Sequence, residues 1–371
     1  MMNVVRRLRL ALHARAVRYL ARVTWVEGTL DGCDEPFRCL FAGDSQLQPY
    51  LIRRMYNGEP RVIARRRVRI ASLPRLVRQN TLAVDLCVAV LPPATRDLFA
   101  GFLAFRGQEF VCQVVDLPAS WEAMTSRLHR TPRGTGRLIR KHGLTRRISH
   151  DARDFDFFYR RMFVPHTQNQ YGPLAIIETF DEMKTFFDRG FLLLVEEAGH
   201  PIAGSLCLMD DAVLTYRRMG VLDADDAHIR KGAQMAVYYF SLQLALERGL
   251  RAFDLMKSRA LLEDGVYEHK RKWGATTLPD PESESWVHFV CPRPGERVAR
   301  VFARHPVIVH AGAGLRGLVG VDPGVALTPE VKAELLERYD APGLDGLIVL
   351  GSTSHGDPVW VDRISQEPIQ P

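Results

Sequence analysis

The stretch that most limits what this chain can fold into is residues 223–275, DADDAHIRKGAQMAVYYFSLQLALERGLRAFDLMKSRALLEDGVYEHKRKWGA. Within residues 233–248, apolar side chains at Met235, Val237, Tyr238, Leu242, Leu244, Ala245 and Leu246 have the spacing of a helix buried along most of its length. Gly249 is placed to end it as the residue after the last turn. Just before it, Arg230-Lys231-Gly232-Ala233 sets two cations beside the unpaired N–H groups of a helix start, an arrangement that suits an anion. After it, residues 251–256 (RAFDLM) read as a short buried strand. Lys257, Arg259, a turn at Asp264-Gly265 and the run Tyr267-Glu268-His269-Lys270-Arg271-Lys272-Trp273-Gly274 follow.

That order resembles the C-terminal half of the GNAT acyltransferase fold, in the branch similar to Fem-type aminoacyl transferases and exopolysaccharide-associated acyltransferases. The residues that carry the likeness are Phe253-Asp254, where the branch writes F-D-x, and Lys270, Lys272, Trp273 and Gly274, where it writes K-x-K-W/F-G. A weaker likeness extends over residues 114–292. The resemblance implies an α/β (α+β) fold with a mixed, mostly antiparallel central sheet flanked by helices. It further implies a tandem of a degenerate N-terminal half and an intact C-terminal half. The segments expected are a basic N-terminal helix at 1–24, the degenerate half at 25–120, the acyltransferase domain at 121–292 and an extension at 293–371. One departure stands out. GNAT enzymes usually carry Gln or Arg, two residues, Gly, one residue, then Gly or Ala; alignment on Gly232 puts Ile229 and Gln234 at the outer positions.

The activity implied is N-acyl transfer from acetyl-CoA or another acyl-CoA, as co-substrate, to an amine of a small molecule or saccharide precursor. A second reading takes aminoacyl-tRNA as donor, and a third is a catalytically silent scaffold on the same fold. Acyl transfer from a thioester needs a donor held by its phosphates, N–H groups facing the developing oxyanion, a base for the amine and an acid for the thiolate. For the donor, the residues are Arg230, Lys231, Gly232 and Ala233, with Lys257, Arg259, Lys270 and Lys272 for further phosphates. A solvated charged loop is the competing reading of those last four. For the base the candidates are Asp210, Asp211 and Glu196, which ordinary turn chemistry would equally explain. For the acid they are Tyr216 and Tyr267, the latter also suited to packing on Trp273. No metal is expected.

With 371 residues, 46% of them hydrophobic and 25% charged, the chain can fill two domains of ordinary size. No apolar run approaches the ~20 residues that cross a bilayer. The N-terminus, MMNVVRRLRLALHARAVRYLARVTW, breaks every apolar run with arginine, so it lacks a secretory core; a helix packed on the domain is favoured over one lying on anionic lipid. A net charge of +7 favours anionic partners: nucleotide phosphates, tRNA or an anionic membrane surface, with no DNA partner indicated. The six cysteines lack any C-x-x-C spacing, which suits reduced, buried thiols in a cytoplasmic protein without a zinc site.

In chain order, strands are expected at 37–42, 61–70, 82–91 and 110–117. In RVIARRRVRI, period two puts Val62, Ala64, Arg66, Val68 and Ile70 on one face and Arg65, Arg67 and Arg69 on the other. That second face reads as a phosphate-binding patch or as a solvated strand face. Pro92-Pro93 opens a helix through residues 95–105. Ser120 caps a helix carrying Glu122 in its first turn. Residues 127–147 form a basic segment that ends similarly to the family's K-x-G-L, at Lys141, Gly143 and Leu144. Residues 154–163 form an aromatic helix stopped by Pro165. The polar stretch 164–172 then offers His166, Gln168, Asn169, Gln170 and Tyr171 as acceptor contacts or as plain loop. A helix at 179–188 precedes strands at 191–196, 201–209 and 212–219. Beyond residue 292, helices are expected at 295–303 and 329–339, the latter capped by Thr328, with a strand at 346–350. The run Gly351-Ser352-Thr353-Ser354-His355-Gly356-Asp357 reads as a turn, because members of a triad converge from different elements.

Overall fold

A computed structural model describes residues 19–78, 84–351 and 358–362. The chain forms β1 (Leu20–Thr29), β2 (Pro36–Ala42), α1 (Leu47–Met55), β3 (Arg61–Arg69), α2 (Leu73–Arg78), β4 (Leu86–Leu91), β5 (Leu103–Gly107) and β6 (Phe110–Asp116). Then come α3 (Trp121–Arg127), α4 (Arg130–His142), β7 (Leu144–Ser149), α5 (Ala152–Phe157), a π-turn at Phe158–Phe163, α6 (Val164–Tyr171), α7 (Phe180–Phe187), β8 (Phe191–Glu197), β9 (His200–Met209) and β10 (Val213–Val221). The remainder is α8 (Asp226–Arg230), α9 (Ala233–Glu247), β11 (Ala252–Arg259), α10 (Gly265–Lys272), β12 (Thr276–Pro279), β13 (Trp286–Cys291), α11 (Glu296–Arg304), β14 (Val307–Ala311), β15 (Gly314–Gly320), α12 (Pro329–Tyr339), β16 (Leu344–Leu350) and β17 (Pro358–Asp362). The fold is α/β, with two mixed sheets flanked by helices, as expected.

Two compact units result, and they redraw the expected segments. The described residues up to Val111, Arg259–Tyr267 and those from Pro279 onward form the first; Cys112–Ser258 and Glu268–Leu278 form the second. The described residues from 293 onward are therefore not an appendage. Their strands β14 to β17 complete the first unit's ten-stranded sheet, β17-β16-β15-β14-β5-β13-β4-β2-β1-β3, so the chain closes that sheet from both ends. Of the expected 1–24 helix, residues 1–18 lie outside the described residues, and from Leu20 the chain is strand. The run 352–357 also lies outside them.

The second unit is built on a seven-stranded sheet ordered β12-β6-β11-β10-β9-β8-β7. From β7 to β10 each neighbouring pair is antiparallel; β10 and β11 are parallel, joined through α8 and α9. Alternation along β8 divides the core. Leu193 and Val195 face the cluster around α9, with Val237, Leu242 and Leu244, while Leu192 and Leu194 face Phe155, Phe158, Met162 and Phe187. Helices thus cover both faces. At Gly220 of β10 an added Cβ would lie 2.3 Å from the carbonyl carbon of Met162, so only glycine lets the π-turn approach the strand.

Two helix expectations are corrected. Residues 95–105 are not a helix: Pro93–Thr95 makes one 3-10 turn and β5 begins at Leu103, because that span must supply a strand next to β13. Pro165 does not stop the aromatic helix. It sits in the first turn of α6, where a missing N–H costs nothing, and the stretch expected as loop is helical to Tyr171. The two caps behave as expected: Ser120 Oγ accepts from the Ala123 N–H and Thr328 Oγ1 from Val331; the structure adds a capping box of Thr179 with Glu182.

Candidate active site at a forked strand pair

β10 and β11 pair only at Val213↔Ala252, Leu214↔Phe253 and Thr215↔Asp254. Both strands continue, β10 to Val221 and β11 to Arg259, so the parallel pair forks toward its C-terminal end. Each strand is irregular where they part. In β10 the register with β9 slips between Tyr216 and Arg218; in β11, Met256 takes φ 63°, with its N–H donated to Asp254 Oδ1 at 2.8 Å. Backbone held in such sparsely populated regions clusters at functional sites. Ligands of parallel sheets bind beyond the C-terminal ends of strands, where neighbours part.

The crossover from β10 to β11 starts from that end, and α9 begins there. Gly232, at φ 88°, is its N-cap, and an added Cβ would stand 3.0 Å from Leu138 Cδ1 on α4. The sharp turn and the close approach both require glycine. The Gly232 N–H is bonded back to Ile229 O at 2.9 Å, and its carbonyl accepts from Ala236 at 2.8 Å. Ala233, Gln234 and Met235 occupy the first turn, whose N–H groups have no acceptor within the helix. Of the flanking cations, Lys231 is engaged by Glu197 at 2.7 Å, which holds the Glu197 carboxyl below its usual range; Arg230 is exposed and in no ion pair among the described residues.

Tyr216 is the first β10 residue past the paired register and is only 5% exposed. Its ring lies 4.6 Å from that of Tyr238 on α9 and 6.0 Å from Phe253. Burial, with the Tyr238 hydroxyl beside it, pushes the Tyr216 phenol well above its ordinary range, so it stays a proton donor at neutral pH. Tyr238 stacks on Trp273 at 5.5 Å and edges His269 at 4.6 Å, and Trp273 Nε1–H donates to His269 Nε2 at 3.2 Å. Burial, then Lys270 and Lys272, lowers His269 to about 4, leaving it neutral. Tyr171, at the end of α6, is exposed. On the same helix His166 is buried, with neither ring nitrogen hydrogen-bonded among the described residues, and burial holds its imidazole below the usual value.

Several expected site residues are placed elsewhere. Asp210 and Asp211 lie at the β9–β10 turn, the end of β10 opposite the fork; Asp210 Oδ1 accepts the N–H groups of Ala212 (2.9 Å) and Val213 (2.8 Å), which is turn chemistry. Glu196 accepts from Arg147 Nε at 2.6 Å on β8, two strands away from β11's neighbour β10 by sheet order. Tyr267 and Arg259 fall in the first unit: Tyr267 is fully buried in a cluster with Ile308 and Leu347, and the Arg259 guanidinium lies 4.3 Å over the Tyr50 ring. Lys270 is 5% exposed and donates to the carbonyls of Met256 (3.4 Å) and Lys257 (3.0 Å), so it fastens β11 rather than awaiting a phosphate. Lys272 pairs with Glu268 at 2.8 Å one turn back. Lys257 does lie on the half of β11 that has parted from β10. The fork thus gathers Tyr216, Lys257 and the 230–233 turn. Sequence reasoning missed Glu197, Tyr238 and His269; a polar tip on an otherwise apolar helix face was the signal at Tyr238.

No protein-family model matches the chain, and no curated protein matches it. Among solved structures it is similar to FemX, with a TM-score of 0.40 at 10% identity over 72% of this chain and 83% of that one. It is also similar to L-PGS from Bacillus licheniformis (0.35, 12%, 75% and 87%) and to a GCN5-related N-acetyltransferase from Sphaerobacter thermophilus (0.28, 15%, 57% and 61%). Among the described residues no helix is long and apolar enough to cross a membrane, and no group of three or more His, Cys, Asp or Glu is placed to hold a metal.

Proposed function

We propose that the second unit is an N-acyltransferase that takes an acyl-CoA, acetyl-CoA being the simplest, and passes the acyl group to an amine of a small molecule or saccharide precursor. The observation that carries this reading is the fork: two parallel strands part after Thr215↔Asp254, and the crossover helix starts there with its first-turn amides unbonded within the helix. The donor's phosphates bind the amides of Ala233, Gln234 and Met235, with Arg230 and Lys231 alongside. The acyl carbonyl enters the gap between β10 and β11. The amine nitrogen attacks it and forms the new C–N bond as the C–S bond breaks. His166, kept neutral by burial, takes the amine proton, and Tyr216 donates its proton to the departing thiolate. The test is calorimetric titration with CoA and acetyl-CoA, followed by thiol release with an amine acceptor. Saturable CoA binding and amine-dependent thiol release support the reading; no binding of either sinks it.

The aminoacyl-tRNA alternative has one observation in its favour. α4 packs on α9 through Leu138 and Gly232, and it presents Arg133, Arg137, Arg140 and Lys141 to solvent beside the donor turn. Aminoacyl-tRNA binding that survives where CoA binding is absent would select that donor.

A further inference from the structure

The first unit holds a second cationic feature, independent of the fork. β1 and β3 are antiparallel, with Arg22 opposite Arg67, Thr24 opposite Arg65 and Leu20 opposite Arg69. Directly opposed residues share a face, so Arg22, Arg65, Arg67 and Arg69 all rise from one side of this ribbon. The opposite side explains the one charge that interrupts the apolar face: Arg66 lies 5.8 Å over the ring of buried Trp25. Against the ribbon lies a cavity of about 620 Å³, lined by Arg22, Arg65, Arg66 and Arg67 and by Ser45 and Gln48 at the start of α1. Among the described residues that line it the one carboxylate is Asp44, 3.3 Å from Arg22, and behind the lining Ser45 Oγ donates to the Glu109 carboxylate. Arg65 and Arg67 are exposed and in no ion pair among the described residues. Ser45 Oγ accepts the Leu47 N–H at 2.9 Å, and α1 brings the positive end of its dipole to the same hollow.

β3 ends the sheet, and charge on an edge strand guards against edge-to-edge pairing. That duty needs neither a hollow nor like charges set face to face, and Asp44 answers Arg22 while Arg65 and Arg67 are left without a countercharge among the described residues. Arg22, Arg65 and Arg67, which rise from one face of the ribbon and border one hollow, have the planar donor geometry that grips the oxygens of a phosphoryl group in pairs of parallel bonds. A hollow of this size holds a compact anion and not a long strand. We infer that it binds a phosphorylated ligand of one or two phosphoryl groups, either a free phosphate ester or a lipid headgroup.

The full chain is titrated with inorganic pyrophosphate by calorimetry, and sedimented with phosphatidylglycerol or phosphatidylcholine vesicles. Wild type is expected to bind pyrophosphate saturably, R65E/R67E about tenfold or more weakly, and R65K/R67K measurably less tightly because charge remains but the fork is lost. Arg230→Glu, at the proposed donor turn, leaves this binding intact, which separates the two sites. Sedimentation with phosphatidylglycerol alone, lost in R65K/R67K, assigns the phosphoryl group to a headgroup; its absence assigns a free ester. The inference is overturned if wild type does not bind pyrophosphate, if R65K/R67K binds as tightly as wild type, if Arg230→Glu abolishes binding, or if only an RNA oligomer binds. Should R65E/R67E not fold, R65K/R67K decides.

Discussion

The two units handle positive charge in opposite ways. Around the fork of the second unit nearly every cation is spoken for: Lys231 by Glu197, Lys272 by Glu268, Arg218 by Glu178, and Lys270 by two carbonyls of β11. What remains for an anion is backbone, the first-turn amides of α9. On the arginine ribbon of the first unit β1 is paired on both sides and β3 on one, while the side chains of Arg65 and Arg67 are in no ion pair among the described residues. Both stretches read as basic in the sequence. Partners decide which of them offers charge and which offers geometry, and a site of fixed dipoles suits a reaction because it needs no rearrangement as charge develops.

If the contrast is sound, substitutions at the fork should act through geometry and chemistry. The largest effect is expected for Tyr216→Phe: a loss of about 10²- to 10³-fold in kcat, as for removal of a general acid, with the melting temperature little changed. Steady-state kinetics with a working acceptor checks it, and wild-type turnover would remove Tyr216 from the chemistry. Next comes Lys270→Met, which leaves the Met256 and Lys257 carbonyls without their donor. It should cost about 1–3 kcal/mol in denaturant unfolding and weaken donor binding indirectly. A change in donor affinity without loss of stability would make Lys270 a phosphate ligand after all.

Gly232→Ala should cost about 1–2 kcal/mol, since φ 88° strains any side chain and Leu138 crowds the Cβ, and it should raise the Kd for CoA. Loss of stability with unchanged CoA affinity would detach the turn from the donor. The smallest effect expected, at pH 6.5 and above, is that of histidine protonation. Burial holds His269 in the second unit, and His288 and His305 in the first, at about 4 against 6.5 unfolded. Because the unfolded state takes up the protons first, stability is full above pH 6.5 and falls as pH drops from there toward 4. Per histidine the loss by pH 6.5 is only about 0.4 kcal/mol. His269→Gln should flatten the acid limb of unfolding while His288 and His305 still act; an unchanged limb would mean that His269 titrates normally.

Much of this was legible because local chemistry and tertiary need agreed. The α9 pattern, the Gly249 stop, the β8 to β10 run and the Ser120 and Thr328 caps all appear as expected. Pro165 misled because proline marks a helix start as readily as an end, and the π-turn before it lets the axis continue. Tyr267 as a candidate acid and Arg259 as a candidate phosphate contact follow from their nearness in sequence to residues 251–257. The chain leaves the second unit after Ser258 and returns at Glu268, a crossing that no periodicity records. Asp210 and Asp211 had the right chemistry at the wrong end of β10. β14 and the Gly-rich β15 read as an extension because each is short, and only pairing reveals that they complete a sheet begun by the N-terminal strands.

Hydrogen exchange of the Ala233, Gln234 and Met235 amides, measured with and without saturating acetyl-CoA, tests the central claim most directly. Phosphate oxygens bonded to those amides should slow their exchange, with the 65–67 amides unaffected. Exchange at 233–235 unchanged under conditions where acetyl-CoA is bound would contradict it.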